Sequence, residues 1–217
     1  MVQRPAGGPN SKPFRHFVPK ATKDIIEFSS EIADNGSNHI LEVVHMAAIF
    51  VRPGTQKDID AILSIIQSAR EFLAQQGIDQ WQGTYPDRAA VQKDIDDETN
   101  RVLIVDGKVA GTGSLIDGPD PFYKRIDGDG WIGDRKYMMI HRFALDGKVR
   151  GQQLSKFFMS NLTTEAYSLG YRDLRIDTHA QNQIMQHVIK AAGYQFRGIV
   201  YLDEPVPERN AYQLLLD

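Results

Sequence analysis

The chain has 217 residues, a net charge of -3 and an isoelectric point of about 6.1. With 41% hydrophobic and 24% charged residues, the composition is typical of a globular domain with some additional sequence. A weakly acidic chain lacks the basic field that nucleic acid or an anionic membrane would attract, so neither partner is expected. The sequence contains no cysteine, which excludes disulfides, thiolate metal sites and a cysteine nucleophile.

Residues 1–48 differ from the rest of the chain. Four of the ten prolines lie there, together with short Gly, Ser and Asn clusters, which predicts a flexible extension. The most apolar stretch, residues 40–51, is well short of the roughly 20 residues that a membrane-spanning helix needs, and the sequence shows no signal peptide. We therefore expect a cytoplasmic protein whose folded domain covers residues 49–217.

Hydrophobic periodicity and turn signals divide the folded domain into strands and helices. The predicted strands cover residues 49–52, 101–105, 108–116, 137–145, 171–178, 194–202 and 211–216. The predicted helices lie between Thr55 and Gly77 and at residues 87–97, 152–169 and 181–192. Asp106-Gly107, between two strands, is typical of a type I′ hairpin turn.

The order of these elements predicts a mixed α/β fold. Hairpins come first and β-α-β crossovers later, which favours a mostly antiparallel sheet of six to seven strands with helices on both faces. The loop at residues 117–135 is long enough to be functional or mobile. The last strand, residues 211–216, reads as an exposed hydrophobic edge, and its pairing with a second copy would give a homodimer.

The segment from residue 140 to residue 155 carries the clearest chemical signal. A strand ends, the chain passes through Arg150-Gly151, and a helix begins at Gln152. The first N–H groups of a helix have no partner within the helix and can bind a phosphate, and Arg150 adds a positive charge. An ordinary strand-loop-helix connection has the same pattern, so the segment alone leaves both interpretations open.

Three motifs resemble the GNAT superfamily of acyl-CoA-dependent N-acetyltransferases, and the resemblance extends over residues 49–217. DGKVAG at residues 106–111 is similar to a family hairpin, and RGQQLS at residues 150–155 falls on the family's pyrophosphate loop. Asn182 with KAAGY at residues 190–194 is similar to the family's last helix and the strand after it. The chain looks closest to bacterial members with a DQW…YP loop and an IHR…RIDTH…N…M series.

The resemblance implies acetyl-CoA as cosubstrate and a strand whose end separates from its neighbour. The free backbone groups of residues 142–145 would then hold the pantetheine and polarise the thioester carbonyl. The cofactor-binding residues that it implies are Phe143, Ala144, Leu145, Arg150, Gly151, Gln152, Gln153, Leu154, Ser155 and Asn182. No metal is implied.

Two departures from the family pattern affect this implied site. Gln153 and Ser155 stand where the loop has glycine and a small residue, although a glutamine with ordinary helical φ would still present its N–H. Ile189 replaces a tyrosine that protonates the leaving thiolate in many members. Because a thiol has a reference pKa of about 8.5, water can replace that proton donor. The loss then costs rate, by up to roughly 10²- to 10⁴-fold.

Amine acetylation also requires a base, since an amine of pKa near 10 is mostly protonated at neutral pH. His179, His141 and Asp177 are the candidates. Asp177 and His179 lie two apart on one predicted strand and share a face, while His141 lies on the neighbouring strand. A structural His-Asp pair, or strand ends satisfied by hydrogen bonds, is the alternative. A metal site is not expected, because no ligand-spaced motif accompanies these residues.

The acceptor pocket is assigned to Trp81, Tyr85 and Arg142. Trp81 and Tyr85 lie in the loop between the first two helices, where the family usually builds this pocket, and their rings could form a slot or stack on a cation. Simple packing under the loop is the alternative. The acceptor itself stays open among a small amine, an aminoglycoside-like compound, an amino acid and a protein N-terminus.

The predicted activity is transfer of an acetyl group from acetyl-CoA to a primary amine, by direct attack on the thioester and without a covalent enzyme intermediate. A non-catalytic acyl-CoA-binding or regulatory module of the same fold is the first alternative, favoured by Gln153 and Ile189. An unrelated α/β ligand-binding domain is the second alternative.

Overall fold

The computed structural model describes residues 48–149, 151–203 and 205–217. The extension expected at residues 1–48 lies outside these residues, except for Ala48. The described strands are β1 Ile49–Pro53, β2 Asn100–Val105, β3 Lys108–Asp117, β4 Met138–Leu145, β5 Asp173–His179, β6 Gln195–Tyr201 and β7 Glu208–Leu215. The described helices are α1 Ile59–Gln75, α2 Arg88–Asp96, α3 Leu154–Ser168 and α4 Gln183–Ala191. None of these helices is long and apolar enough to cross a membrane.

The strands form one mixed sheet in the order β1-β2-β3-β4-β5-β7-β6. All neighbours pair antiparallel except β4 and β5, which are parallel. In the described sheet these two strands share only the pairs Met138–Leu174 and Met139–Arg175, although β4 continues to Leu145. The end of β4 therefore separates from β5, as the resemblance implied, and the predicted fold class is confirmed.

Side-chain alternation along β2 shows that helices cover both faces of the sheet. Val102 and Ile104 pack in a cluster with Ile62 of α1 and with α2. Leu103, between them, belongs to a second cluster with Phe158 of α3 and with α4. Successive side chains of a strand point to opposite faces, so α1 and α2 lie on one face and α3 and α4 on the other.

The long loop between β3 and β4 packs on the sheet. Tyr123 of this loop forms a buried cluster with Met139 and with residues of β6 and β7. The indole Nε1 of Trp131 donates to the carbonyl oxygen of Tyr123 at 2.9 Å. The guanidinium of Arg175 lies over the rings of Trp131 and Tyr137, at 4.3 and 3.8 Å from their centroids. The loop therefore forms a fixed cover over the β5–β7 part of the sheet.

The turn predicted at Asp106-Gly107 is confirmed. Both residues have positive φ, 48° and 74°, as a type I′ turn requires. Glycine adopts such angles without strain, and aspartate, the residue at position 106, is one of the few other residue types that tolerate them.

The prediction that residues 211–216 form an exposed edge strand of the sheet is wrong. The strand at Glu208–Leu215 is last in the chain, yet it pairs with β5 on one side and with β6 on the other. Among the described strands, β1 and β6 form the edges. The expected homodimer thus loses the edge on which it rested and stays a prediction, which size-exclusion chromatography tests.

Candidate active site

A cavity of about 810 Å³ opens where β4 and β5 part. Its volume is in the range of pockets that hold cofactors and small ligands. The walls come from the end of β4, the middle of β5, the first turns of α3 and α4, and α1 with the loop that follows it. The long loop contributes Asp120 and Phe122. The gap in the sheet therefore connects elements from both faces.

A bulge in β4 lies beside this gap. Ser114 pairs with His141 and Thr112 pairs with Ala144, so that two residues of β4 oppose the single residue between them on β3. Arg142, within the bulge, has a φ of 51°. Such an angle costs a non-glycine residue roughly 1–2 kcal/mol, so the surrounding contacts must hold it.

The start of α3 forms the wall next to β4, and it corrects two expectations. The helix begins at Leu154, two residues later than predicted. Gln153 is the N-cap and has a φ of 56°, in the left-handed region, where an ordinary helical angle was expected. The backbone here keeps the conformation that glycine adopts most readily, although the side chain is glutamine.

The positive end of α3 faces the cavity. Gly151, Gln153, Leu154 and Ser155 line it, and no described side chain caps the helix. The amides of Lys156 and Phe157 donate to the carbonyl oxygen of Gln153, which leaves the amides before them for an anion. The wall continues along β4 with Phe143, Ala144 and Leu145.

Two of the cofactor-binding residues expected from the resemblance are not in the described lining. Gln152 is exposed to solvent, and Arg150 lies outside the described residues.

Asn182 connects α4 to the loop after α1. Its Oδ1 accepts from the amide of Met185 and caps the helix, and its Nδ2 donates to Oε1 of Gln80 at 2.8 Å. Asn182 and Gln80 both line the cavity. Ile189, at the position of the family tyrosine, is fully buried in the core and lies outside the described lining.

Arg142 is held by a buried ion pair. Its Nε and Nη2 donate to the two carboxylate oxygens of Asp94, and its Nη1 donates to the hydroxyl of Tyr85. The Arg142 and Asp94 side chains are only 11% and 7% exposed. Ser114 donates a further hydrogen bond to Asp94 at 2.7 Å. The bulge of β4, the helix α2 and the loop carrying Tyr85 are thereby linked.

His141 and Asp177 line the cavity, and the buried Tyr123 contacts both of them from behind. The Tyr123 hydroxyl donates to Oδ1 of Asp177 at 2.7 Å, and the Tyr123 ring stacks on His141 with 6.2 Å between centroids. Nε2 of His141 is buried and has no hydrogen-bond partner among the described residues. Burial lowers the pKa of His141, although Asp177 opposes the shift. Burial also raises the pKa of Tyr123 well above its usual value, so it stays a hydroxyl donor.

His179 lies elsewhere. It is 6% exposed, its Nδ1 accepts from the amide of Gln181 at 3.2 Å, and the described part of the cavity lining does not include it. The structure thus brings together His141 and Asp177, and it places His179 at a strand end within a local hydrogen bond.

The acceptor residues expected from sequence lie in the same cavity as His141 and Asp177. Trp81, Tyr85 and Arg142 all line it. Sequence reasoning missed two further lining residues, Gln80 and Asp120 of the long loop. It also missed two residues that hold lining side chains from behind: Asp94 of α2, which binds Arg142, and Tyr123, which binds Asp177. Asp94 had a signal, because it lies on the apolar side of α2 between Val91 and Ile95. Among the described residues, no group of three or more His, Asp or Glu side chains could hold a metal ion.

Solved structures share this fold over most of their length. An acetyltransferase of the GNAT family from Streptococcus agalactiae is 34% identical, with a TM-score of 0.72 over 78% of this chain and 96% of that one. A GNAT-family acetyltransferase from Listeria monocytogenes is 17% identical, with a TM-score of 0.60 over 77% and 95%. An acetyltransferase from Salmonella typhimurium, solved with its cofactor acetyl-CoA, is 19% identical, with a TM-score of 0.55 over 78% and 95%.

The sequence itself also matches a model of this family, although no individual curated protein gives a significant match. The family model described as "Acetyltransferase (GNAT) family" matches residues 65–194, more than half of the chain. That segment runs from α1 through the bulge of β4 and the start of α3 to the end of α4, and so includes most of the cavity. The chain belongs to the GNAT family of acetyltransferases.

Proposed function

We propose that the protein transfers an acetyl group from acetyl-CoA to a primary amine of a small molecule or peptide. The single observation that carries this proposal is the cavity at the β4–β5 gap. The end of β4 and the start of α3 line one side of it, and the other side contains His141 and Asp177. The first side suits a thioester cofactor, and the second suits an amine that must lose a proton.

The cofactor would lie along the side formed by β4 and α3. Its pyrophosphate would bind the free amides at the start of α3, with Arg150 as an additional cation, and its pantetheine would run along residues 143–145. On the side of β5 the backbone groups of this stretch have no strand partner in the described sheet, so they are available to the pantetheine and to the thioester carbonyl. The Salmonella structure, solved with acetyl-CoA, supports acetyl-CoA as the cofactor.

The reaction would proceed by direct attack. His141 accepts a proton from the substrate ammonium at Nε2, and the amine nitrogen forms a bond to the thioester carbon. The nitrogen of the tetrahedral intermediate loses its second proton to water, the C–S bond breaks to give the amide, and coenzyme A leaves as a thiolate that takes a proton from water. His141 suits this role better than His179, because its buried Nε2 is unpartnered among the described residues and it lines the cavity.

Release of thiol tests the activity directly. The protein has no cysteine, so a thiol reagent such as Ellman's reagent reports only coenzyme A. We expect saturable release that requires both acetyl-CoA and an amine. Stabilisation by acetyl-CoA and desulfo-CoA but not by ATP, without any release on a broad set of amines, would contradict the proposal. The chain would then be a non-catalytic acyl-CoA-binding module, the alternative that Gln153 and Ile189 favour.

A further inference from the structure

Two uncompensated carboxylates line the acceptor side of the cavity. Asp177 comes from β5 and Asp120 from the long loop. Each accepts a hydrogen bond at 2.7 Å from a neutral donor: the hydroxyl of Tyr123 for Asp177, and the amide of Phe122 for Asp120. Among the described residues neither carboxylate forms an ion pair with a lysine or arginine.

The cations around the cavity do not cancel these charges. Arg142 forms its ion pair with both oxygens of Asp94, and that pair is neutral as a unit. Arg209 and Asp203 also border the cavity and bring one charge of each sign. Burial lowers the pKa of His141 below its ordinary 6.5, although the nearby carboxylates oppose the shift, so at pH 7 its imidazole adds little positive charge. The described side chains therefore leave an acceptor side that carries an excess of about two negative charges.

Other features of the same space fit a cation with an alkyl chain. Trp81, Tyr85 and Phe122 give the cavity aromatic walls, which pack well against methylene groups and attract ammonium groups at their faces. The buried Nε2 of His141, unpartnered among the described residues, lacks a hydrogen-bond donor. The ammonium of the reacting amine would be that donor.

We propose that the acceptor site selects amines that carry a second positive charge, such as aliphatic diamines. The inference rests on the proposed function and names its substrate class. When the reacting ammonium gives its proton to His141, its positive charge moves to the imidazole and stays within the site. Acceptors therefore differ in the net charge of the occupied site only through the charge on the rest of the molecule. A diamine neutralises Asp120 and Asp177 together, whereas a monoamine leaves one carboxylate without a partner. An acceptor with a carboxylate adds a third negative charge.

Three acceptors of equal chain length test this directly. They are 1,4-diaminobutane, butylamine and 4-aminobutanoate, whose far ends are positive, neutral and negative. With acetyl-CoA saturating, we expect kcat/KM for the diamine to exceed that for butylamine by about tenfold or more, and 4-aminobutanoate to be the poorest. Equal values for the diamine and butylamine would overturn the proposal. So would a preference for 4-aminobutanoate, which would mean that Arg142 receives a carboxylate.

Two conservative variants locate the selectivity. Asp177→Asn and Asp120→Asn keep an oxygen that can accept the present hydrogen bond but remove the charge. Each is expected to reduce the ratio of diamine to butylamine kcat/KM at least threefold. Asp129→Asn is the matched control, because Asp129 is an exposed residue of the same loop outside the described lining, and the ratio should not change. An unchanged ratio in both cavity variants would contradict the assignment.

Binding measured without turnover separates this inference from the proposed function. Calorimetric titration of the three compounds into the protein loaded with coenzyme A should show the same order of affinity. Selective diamine binding without thiol release would support the charge-selective site and contradict the acetyltransferase. Thiol release at equal rates, with equal affinities for diamine and butylamine, would support the acetyltransferase and contradict the selectivity.

Discussion

The two sides of the cavity are built in different ways. The side next to β4 and α3 offers backbone groups without a partner in the described sheet and helix: those of the strand end at residues 143–145 on the side of β5, and the amides at the start of α3 at Leu154. The proposed acceptor side is formed by side chains from separate parts of the chain, among them Trp81 of the loop after α1 and Asp177 of β5. One side depends on conformation, and the other depends on residue identity.

This difference explains how the chain can depart from the family pattern at Gln153 and keep the geometry. The N-cap retains a φ of 56° with a glutamine, because the backbone path is fixed by β4 before it and α3 after it. On the acceptor side an equally small change would have a larger effect. Removing one carboxylate or one imidazole nitrogen there changes the charge or the proton transfer itself.

The largest effect is expected at His141. His141→Asn removes the ring nitrogen that would accept the proton, and kcat should fall by roughly 10²- to 10⁴-fold, the contribution typical of one general base. Acetyl-CoA affinity should stay within about threefold, because the substitution lies on the acceptor side. The measurement is thiol release together with calorimetric binding of acetyl-CoA.

His187→Asn is the control for this experiment. His187 is exposed on α4 outside the described lining, so its replacement should leave kcat unchanged. If His141→Asn retains more than a tenth of the wild-type kcat, His141 is not the base. A folded variant is recognised by its circular dichroism spectrum and by its affinity for acetyl-CoA.

The next largest effect concerns stability. Asp94→Asn leaves the buried guanidinium of Arg142 without its counter-charge, and breaking such a pair costs about 3 kcal/mol or more. The exposed pair of Asp60 with Arg88 is the matched control, since Asp60→Asn should change stability by less than about 0.5 kcal/mol. Urea denaturation measures both. Equal losses in the two variants would show that burial does not distinguish these pairs.

The pH profile should show a smaller effect with a defined sign. Burial disfavours the charged imidazolium, and Arg142 acts in the same direction, while Asp177, Asp120 and Asp94 oppose it. The net pKa of His141 lies below its ordinary 6.5, so a base at this position becomes active as pH rises through a midpoint below 6.5. The quantity to measure is kcat/KM between pH 5 and 8.

Comparison with the variant identifies the group responsible. In His141→Asn the rise of kcat/KM below pH 6.5 should disappear. A rise that persists in the variant, or a wild-type midpoint above 6.5, would assign the titration to another group. Stability follows the same sign, because an unfolded chain protonates its histidine first as pH falls, and so this contribution decreases below pH 6.5.

The smallest effect is expected on the side formed by β4 and α3. Gln153→Gly removes the Cβ next to the free amides at the start of α3, which lets a phosphate approach the backbone more closely. The dissociation constant for acetyl-CoA should therefore decrease about three- to tenfold. Gln152→Gly, at an exposed neighbour outside the described lining, should have no comparable effect. Weaker binding in Gln153→Gly would mean that the glutamine side chain itself holds the cofactor.

The contrast between local backbone features and side chains from distant segments also determines what the sequence could predict. Local patterns identify the hairpin at Asp106-Gly107 and the helix start near Leu154, since turn and cap residues act within a few positions. They do not place the last strand between β5 and β6, because strand order depends on contacts between distant segments. The bidentate pair of Arg142 with Asp94 spans 48 residues, and the Tyr123–Asp177 bond spans 54. Such pairs are visible only once the chain is folded.

The choice between the two histidines has the same explanation. His141 and His179 are equivalent in the sequence, since each lies on a strand beside the proposed site. His141 lines the cavity because β4 separates from β5 at this point. His179 lies at the end of β5, where its Nδ1 accepts a hydrogen bond from the amide of Gln181. The family resemblance therefore named residues on the β4 and α3 side of the cavity, and sequence reasoning supplied the acceptor side only as a set of candidates.

A crystal structure of the protein with coenzyme A would test the central claim most directly. The account predicts one molecule per chain, with the pyrophosphate at the amides of Leu154 and Ser155, the pantetheine between β4 and β5, and the sulfur on the His141 side of the gap. Coenzyme A bound elsewhere, or a β4–β5 gap that stays empty at saturating ligand, would contradict it.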